Sequence, residues 1–235
     1  EISKKDIIIK AWIKLKENIS IWVLIMLFML ILNLLLSSIQ ERFLEEMSFH
    51  GIAFIVSSYL FQAGINLGLV GLSLNIYRDK TINFSQIFNN FHLLGKYVFA
   101  SGLSIIVFFI FCLPGLMLLF FSVFVYDNSN MFSSIFMAIS IIGIAAPVIY
   151  ISIRLQFYQY YLVDEETTPY ISIQKSIKIT KGYEAELFIL GAILSLIILI
   201  SMVPLLLGLF ISIPLAAMVN AKVYLLLKES NKTDK

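Results

Sequence analysis

Charged residues are scarce in this chain of 235 residues: Asp, Glu, Lys and Arg make up 14% of it, whereas hydrophobic residues make up 60%. Soluble domains contain about a quarter charged residues and about half apolar ones. A soluble fold of this size needs more polar cover than the sequence supplies, because its surface must face water. The shortage of charge therefore excludes a soluble globular protein and indicates an integral membrane protein.

Cysteine and histidine are also rare. The only cysteine, Cys112, cannot form an internal disulfide, and its position in an apolar run predicts a buried structural thiol. The two histidines, His50 and His92, fall on opposite sides of the membrane in the topology derived below, so they cannot share a metal. The net charge of +2 is too small to indicate nucleic-acid binding. We therefore predict no metal site, no cofactor and no nucleic-acid partner.

Long apolar runs are what the sequence has in abundance. A helix needs roughly 20 apolar residues to cross the hydrocarbon, and the last apolar block, 187–227, is long enough for two crossings. The predicted spans are 19–39, 51–77, 97–121, 131–153, 187–202 and 204–227. The fifth span has only about 16 apolar residues, so we expect it to be short or slightly re-entrant.

Lysine and arginine are distributed unevenly between the spans. Of the 17 basic residues, all but Arg42 lie in four segments: 1–18, 78–96, 154–186 and 222–235. Because cytoplasmic loops carry the excess of Lys and Arg, these segments are predicted to be cytoplasmic. An even number of crossings must then separate Lys181 from Lys222, with a turn near 202–204. The lysine-rich start also argues against a cleaved signal peptide, and the missing initial methionine predicts residues upstream of Glu1.

Three polar segments precede the three pairs of spans. Lys4–Glu17 and 82–95 carry apolar residues at helical spacing. The third, 169–182, starts after Thr168 as an N-cap with Pro169 at the first helical position, and Gly182 is expected to end it. Each is predicted to lie in the membrane interface as a short amphipathic helix. The predicted fold is therefore all-α, with six transmembrane helices in three hairpins, each preceded by an interfacial helix, and both termini in the cytoplasm.

Four basic residues in and near the segment 169–182 are the predicted lipid contacts. Lys175, Lys178 and Lys181 lie in the segment 169–182, and Arg154 lies near the end of the fourth span. We predict that these four side chains bind anionic phospholipid headgroups, because an anionic surface attracts basic side chains and the guanidinium fork suits phosphate oxygens. For Arg154, snorkelling toward the inner headgroups is the alternative interpretation.

Three consecutive acids, Asp164, Glu165 and Glu166, precede the same segment. Clustered carboxylates can hold a hard cation, but consecutive residues rarely converge on one ion. We interpret them as a solvated charge cluster beside a helix N-terminus, where negative charge is favourable.

Small and polar residues within the spans are interpreted mainly as helix contacts. Dimerisation and a ligand passage are the alternatives for the glycines, and the prolines are expected to kink their helices. The predicted packing residues are Gly64, Gly68, Gly71, Pro114 and Gly115. The polar residues at membrane depth are Asn33, Gln62, Asn66 and Asn220.

The stretch RLQFYQYYLVDEETTPYISIQKSIKITKG, residues 154–182, resembles the membrane domain of bacterial glycerophosphodiester phosphodiesterases and of related stand-alone six-helix proteins. The matching positions there are Arg154, Val163 with Glu165 nearby, Ser176, Lys181 and Gly182. Positions elsewhere that suit this group are IFNNF at 87–91, Pro114 with Gly115, Gly208, Pro214 and Tyr224. The Yip-type membrane proteins are a more distant alternative. The resemblance implies a fold. It does not imply hydrolase activity, because no phosphodiesterase domain is present. The tryptophan often found in this group near the start of the fifth helix is also absent.

The function predicted from these features is non-enzymatic. No convergent acid, base and nucleophile are recognisable, and no charged residue lies near a helix centre, which counts against ion-coupled transport. We predict a lipid-interacting or scaffolding module of a prokaryotic cytoplasmic (inner) membrane, with phospholipids as partners and a homo-oligomer or a membrane-protein partner left open. The alternative is a transporter or channel subunit for a lipid or small amphiphile, which a polar groove joining Asn33, Asn66 and Asn220 would favour.

Overall fold

The computed structural model describes residues 3–44, 49–124, 131–203 and 207–233. Within these ranges the chain forms nine α-helices, two 3-10 segments and no strand. The helices are α1 (Lys4–Glu17), α2 (Ile19–Leu44), α3 (Phe49–Tyr77), α4 (Leu94–Phe124), α5 (Met131–Leu155), α6 (Tyr158–Glu165), α7 (Pro169–Thr180), α8 (Glu184–Ser201) and α9 (Leu209–Thr233).

Six of these helices are long and apolar enough to cross a membrane: α2, α3, α4, α5, α8 and α9. The protein is therefore a multi-pass integral membrane protein, and the predicted number of spans is confirmed. The fifth span, α8, has 18 residues, which makes it about 27 Å long, a little less than a hydrocarbon core of about 30 Å. The sixth span begins at Leu209 rather than at 204, and the predicted turn at 202–204 lies partly outside the described residues.

Helix α9 lies at the centre of the bundle. Its most apolar window is 44% buried, against 28% or less for the other five spans. Helix α1 packs along it through Ile7, Ala11 and Leu15. The Nζ of Lys14 also bonds the exposed Asp79 carboxylate at 2.7 Å, which raises the pKa of Lys14 and joins α1 to the chain after α3. The predicted helix 4–17 thus has protein along its apolar face.

The segment 82–95 differs from its prediction. In place of an amphipathic α-helix it forms 3-10 segments at Phe84–Phe88 and Phe91–Leu93, and α4 begins at Leu94. Asparagine side chains compete with helical backbone hydrogen bonds, and Asn90 donates its Nδ2 to the carbonyl of Leu67 at 3.0 Å rather than facing solvent. The segment therefore packs into the side of α3.

Glycines on α3 make room for that segment. A Cβ at Gly68 would overlap the backbone carbonyl of Ile87, one at Gly64 would come 2.7 Å from the Phe91 ring, and one at Gly71 would overlap the Asn90 amide. The predicted close contact at Gly64 and Gly68 is thus made with 3-10 backbone and side chains, and not with another spanning helix. Between α4 and α5, a Cβ at Gly115, next to Pro114, would lie 2.6 Å from the carbonyl carbon of Gly143. Cys112 on α4 is buried, as predicted.

Helix α7 begins at Pro169, as predicted, and ends at Thr180, two residues before the predicted end at 182. Thr168 accepts a hydrogen bond from the amide of Ile171 at 3.4 Å, Pro169 is the first residue, and Gly182 adopts a φ of +87° after the helix. Tyr170 at its start is 61% exposed. The buried residues are Ser172, Ile173, Ser176, Ile179 and Thr180, which pack against α4, α5, α6 and α9.

Candidate anionic-headgroup site

The short helix α6 brings the three acids into the protein. It was not predicted, because residues 158–165 follow directly on an apolar span. The break between α5 and α6 is bridged by Ser176, whose Oγ donates to the carbonyl of Arg154 at 2.8 Å and accepts from the amide of Phe157 at 3.1 Å. Helix α6 ends at Glu165, and Glu166 adopts the left-handed conformation with φ 48°. Carboxylates at a helix C-terminus are electrostatically unfavourable, so these acids need cationic partners.

Asp164 is paired with such partners inside the bundle. Its side chain is only 3% exposed, and it forms an ion pair with Arg78 at the end of α3. It also accepts hydrogen bonds from the Tyr224 hydroxyl at 2.9 Å and from Lys228 Nζ at 2.6 Å, both on α9. The interpretation of Asp164 as part of a solvated cluster is therefore wrong. A buried carboxylate is stable here because three donors replace its water shell.

Glu165 and Glu166 extend the same network. Lys228 Nζ lies 2.5 Å from Glu165, which also pairs with Lys175 on α7. The backbone carbonyl of Glu166 accepts a hydrogen bond from Lys96 at 2.7 Å, and its side chain lies 3.5 Å from His92 Nε2. The acidic strip therefore joins α6 to α3, α4, α7 and α9. The sequence segments that contribute to it are those that carry the excess of Lys and Arg.

One side of this network opens into a cavity of about 200 Å³, which we call the basic pocket. Among the described residues, three lysines line it, Lys175, Lys178 and Lys228, together with one carboxylate, Glu165. The other lining residues are Tyr161, Ile179 and Asn231. Both Lys175 and Lys228 lie over the Tyr161 ring, at 5.5 and 5.8 Å from its centroid, so their positions are fixed by aromatic as well as ionic contacts. The pocket carries an excess of positive charge.

Lys178 differs from the other two lysines. It is exposed, and within the described part of the chain no carboxylate pairs with it. Lys175 and Lys228 each have a carboxylate partner that neutralises them in the absence of a ligand. Lys178 is therefore the lysine in the basic pocket with the most unbalanced charge.

The structure brings together two of the four predicted lipid contacts. Lys175 and Lys178 share the basic pocket, whereas Arg154 and Lys181 do not line it. Arg154 pairs with Glu184 at the start of α8 at 2.6 Å, and its side chain is 11% exposed. This arginine therefore has a protein partner at its guanidinium. Lys181 follows α7 and is exposed.

Helix α9 contributes Lys228 and Tyr224 to the network. Sequence reasoning missed Lys228, and it named Tyr224 only as a position that suits the resemblance. They are spaced four residues apart, so they lie on one helix face. A hydroxyl and an ammonium on one face of an otherwise apolar helix indicate a buried acceptor nearby, and this signal was available in the sequence.

Two of the four polar residues at membrane depth lie together. Asn33 and Asn66 line an otherwise apolar cavity of about 310 Å³ between α2, α3 and α9, whereas Asn220 and Gln62 do not line it. The Nδ2 of Asn33 donates to the carbonyl of Met29 in its own helix at 2.8 Å. The interhelical hydrogen bond predicted for Asn33 is thus replaced by one within α2.

Metal-binding clusters are absent from the described ranges: no three His, Cys, Asp or Glu side chains converge there as a metal site requires. Comparisons with protein-family models, curated proteins and solved structures found no match. The resemblance to phosphodiesterase membrane domains stays a prediction.

Proposed function

We propose that this protein is a non-enzymatic, lipid-interacting module of a prokaryotic inner membrane, and that the basic pocket binds the phosphate of an anionic phospholipid. The observation that supports this most is the convergence of Lys175, Lys178 and Lys228 on one cavity. A volume of about 200 Å³ is below the roughly 300–1,000 Å³ typical of pockets for whole small molecules. It suits a headgroup phosphate whose acyl chains stay in the bilayer.

Membrane orientation is part of this proposal. The basic segments meet through ion pairs such as Lys14 with Asp79 and Lys228 with Asp164, and we place this end of the bundle in the cytoplasm. Helix α7 then lies at the inner leaflet, where anionic lipids attract each basic residue by about 1 kcal/mol. The basic pocket would face the headgroups of that leaflet.

Transport of a lipid or small amphiphile is the second candidate. The cavity containing Asn33 and Asn66 favours it, because two amides in an apolar cavity can hold a polar group at membrane depth. Asn220, the third member of the groove expected for transport, does not line this cavity. We therefore prefer the lipid-interacting module.

Orientation is tested by single cysteines at Ser48, Asn128 and Thr168 in a Cys112→Ala background. An impermeant thiol reagent applied to intact cells is expected to label the first two positions and to spare Thr168, because excess Lys and Arg retains a loop in the cytoplasm. Labelling of Thr168 alone would reverse the assignment.

Headgroup binding is tested by replacing Lys178 with glutamine. Losing one charge-assisted hydrogen bond to the phosphate, which contributes about 1.5 kcal/mol, is expected to lower the phosphatidylglycerol retained by the purified protein about ten-fold, measured by native mass spectrometry. Added salt should have a similar effect on the unaltered protein, because exposed charges are screened.

Lys181→Gln is the matched control, since it removes the same charge from an exposed site three residues away and outside the basic pocket. It is expected to change phosphatidylglycerol retention little. Equal retention by Lys178→Gln, Lys181→Gln and the unaltered protein would mean that these lysines only retain their loop in the cytoplasm.

A further inference from the structure

A third cavity, of about 420 Å³, lies between α4 and the junction of α5 with α6. It shares no lining residue with the basic pocket. Of its ten described lining residues, seven carry a hydroxyl or amide group: Tyr97, Ser101, Ser104, Ser152, Gln156, Tyr158 and Gln159. None of the described residues that line it is charged. We call it the hydroxyl pocket.

Its polar groups form a preorganised set. The rings of Tyr97 and Tyr158 are stacked with their centroids 6.1 Å apart, and Tyr158 OH lies 3.1 Å from Ser101 Oγ. Ser104 and Ser152 donate to carbonyls of their own helices at 2.8 and 2.7 Å. Each serine oxygen can still accept a hydrogen bond from a ligand. The pocket thus offers several acceptors beside an aromatic wall.

Gln156 supplies a donor that is not engaged within the protein. Its Nε2 is shielded from solvent and has no hydrogen-bond partner among the described residues. An unpaired buried amide is unfavourable for folding, since it has lost water without gaining an acceptor. Gln156 lines the cavity, and rotation of its side chain would bring this amide to an oxygen of a bound ligand.

The rim of the hydroxyl pocket faces the bilayer. Ile105 is 67% exposed and, with Phe108, belongs to the spanning helix α4. Ser104 lies ten residues into α4, about 15 Å along the helix axis from its first residue, Leu94. An occupant that places hydroxyl groups in the pocket and apolar chains against this rim is an amphiphile of the membrane.

We propose that the hydroxyl pocket binds the neutral, polyhydroxylated headgroup of a membrane lipid, of which a hexosyl diacylglycerol is the test example. A phosphate would find no positive charge among the described lining residues, and burying it there would be costly. A sugar headgroup is neutral, and its hydroxyls can both donate to the serine oxygens and accept from Gln156. The volume falls within the roughly 300–1,000 Å³ range of ligand pockets.

Native mass spectrometry of the purified full chain tests this with three probes at equal concentration. They are a hexosyl diacylglycerol, a diacylglycerol with the same acyl chains, and methyl hexoside. The hexosyl lipid is expected to be retained at least five-fold more than the diacylglycerol, because only it satisfies the pocket's hydrogen bonds. Methyl hexoside, which lacks acyl chains, is expected to be retained least. Equal retention of the two lipids would overturn the proposal, and retention of methyl hexoside equal to that of the hexosyl lipid would show that the ligand is a soluble sugar.

Gln156→Leu separates ligand binding from a structural role. It removes an unpaired buried amide at nearly constant volume, so we expect an unchanged or higher melting temperature together with an approximately five-fold loss of hexosyl lipid. Gln62→Leu, at another intramembrane glutamine outside the pocket, is the matched control and should leave retention unchanged. Unchanged retention in Gln156→Leu would also overturn the proposal. Lys178→Gln should not affect this lipid, so failure of the phosphate proposal and failure of this one are distinguishable.

Discussion

Gly68→Ala is expected to lower the free energy of unfolding by about 2 kcal/mol, through overpacking at the contact between α3 and the 3-10 segment. The added methyl group would overlap the backbone carbonyl of Ile87, which cannot rotate away as a side chain can. The segment would have to separate from α3, weakening the Asn90 bond to the Leu67 carbonyl. For a chain of this length, that loss corresponds to a melting temperature about 4–8 °C lower, measurable by thermal unfolding in detergent.

Gly102→Ala is the matched control on α4, because a Cβ there meets nothing within 4 Å. Alanine is favoured over glycine within a helix by roughly 0.5–1 kcal/mol, so this variant is expected to be slightly more stable. The two Gly→Ala changes should therefore shift the free energy of unfolding in opposite directions. Equal melting temperatures for Gly68→Ala and the unaltered protein would mean that α3 and Ile87 are not in close contact.

Features that depend on nearby residues were predictable from the sequence. The six spans follow from apolar length, and α1 has the predicted bounds because its apolar spacing is local. The cap at Thr168, the proline after it and the positive φ of Gly182 follow from the conformational preferences of single residues. None of these predictions required knowledge of what a segment packs against.

Features that depend on distant partners were missed. Asp164 resembles a solvated acid until Arg78 and Tyr224, 86 and 60 residues away in sequence, are known to contact it. The periodicity of 82–95 fits an α-helix, but the groove at Gly68 on α3 accommodates the tighter 3-10 backbone. At Asp164 and in the segment 82–95, tertiary contacts outweighed the local preference of the sequence. Ion pairs join the basic segments in the structure, and these individual pairings required the folded structure, whereas the cytoplasmic side of the segments stays a prediction.

Asp164→Ala is expected to be the most destabilising single change in the ionic network. Removing one partner of a buried ion pair costs about 3–5 kcal/mol, because the opposite charge is left uncompensated. Arg78 is 37% exposed and can regain water, whereas Lys228 is only 19% exposed, so we expect the lower end, about 3 kcal/mol. The melting temperature should fall by about 6–12 °C. Asp79→Asn, at an 80% exposed carboxylate paired with Lys14, is the control. It should change stability by less than about 1 kcal/mol, because asparagine tolerates the left-handed backbone at this position, where φ is 51°.

A double variant tests whether uncompensated charge causes the loss of stability in Asp164→Ala. Lys228→Met removes the more buried cation at similar length, so Asp164→Ala combined with Lys228→Met should be less destabilised than the sum of the two single changes. Lys228 also lines the basic pocket, and Asp164→Ala leaves its ammonium with Glu165 as its one carboxylate partner among the described residues. Phosphatidylglycerol retention by Asp164→Ala should therefore rise even as stability falls. Additive losses of stability would show that Asp164 acts through shape and hydrogen bonds alone. If Asp164→Ala instead retained less phosphatidylglycerol as its stability fell, the ionic network would be needed to shape the basic pocket rather than to balance its charge.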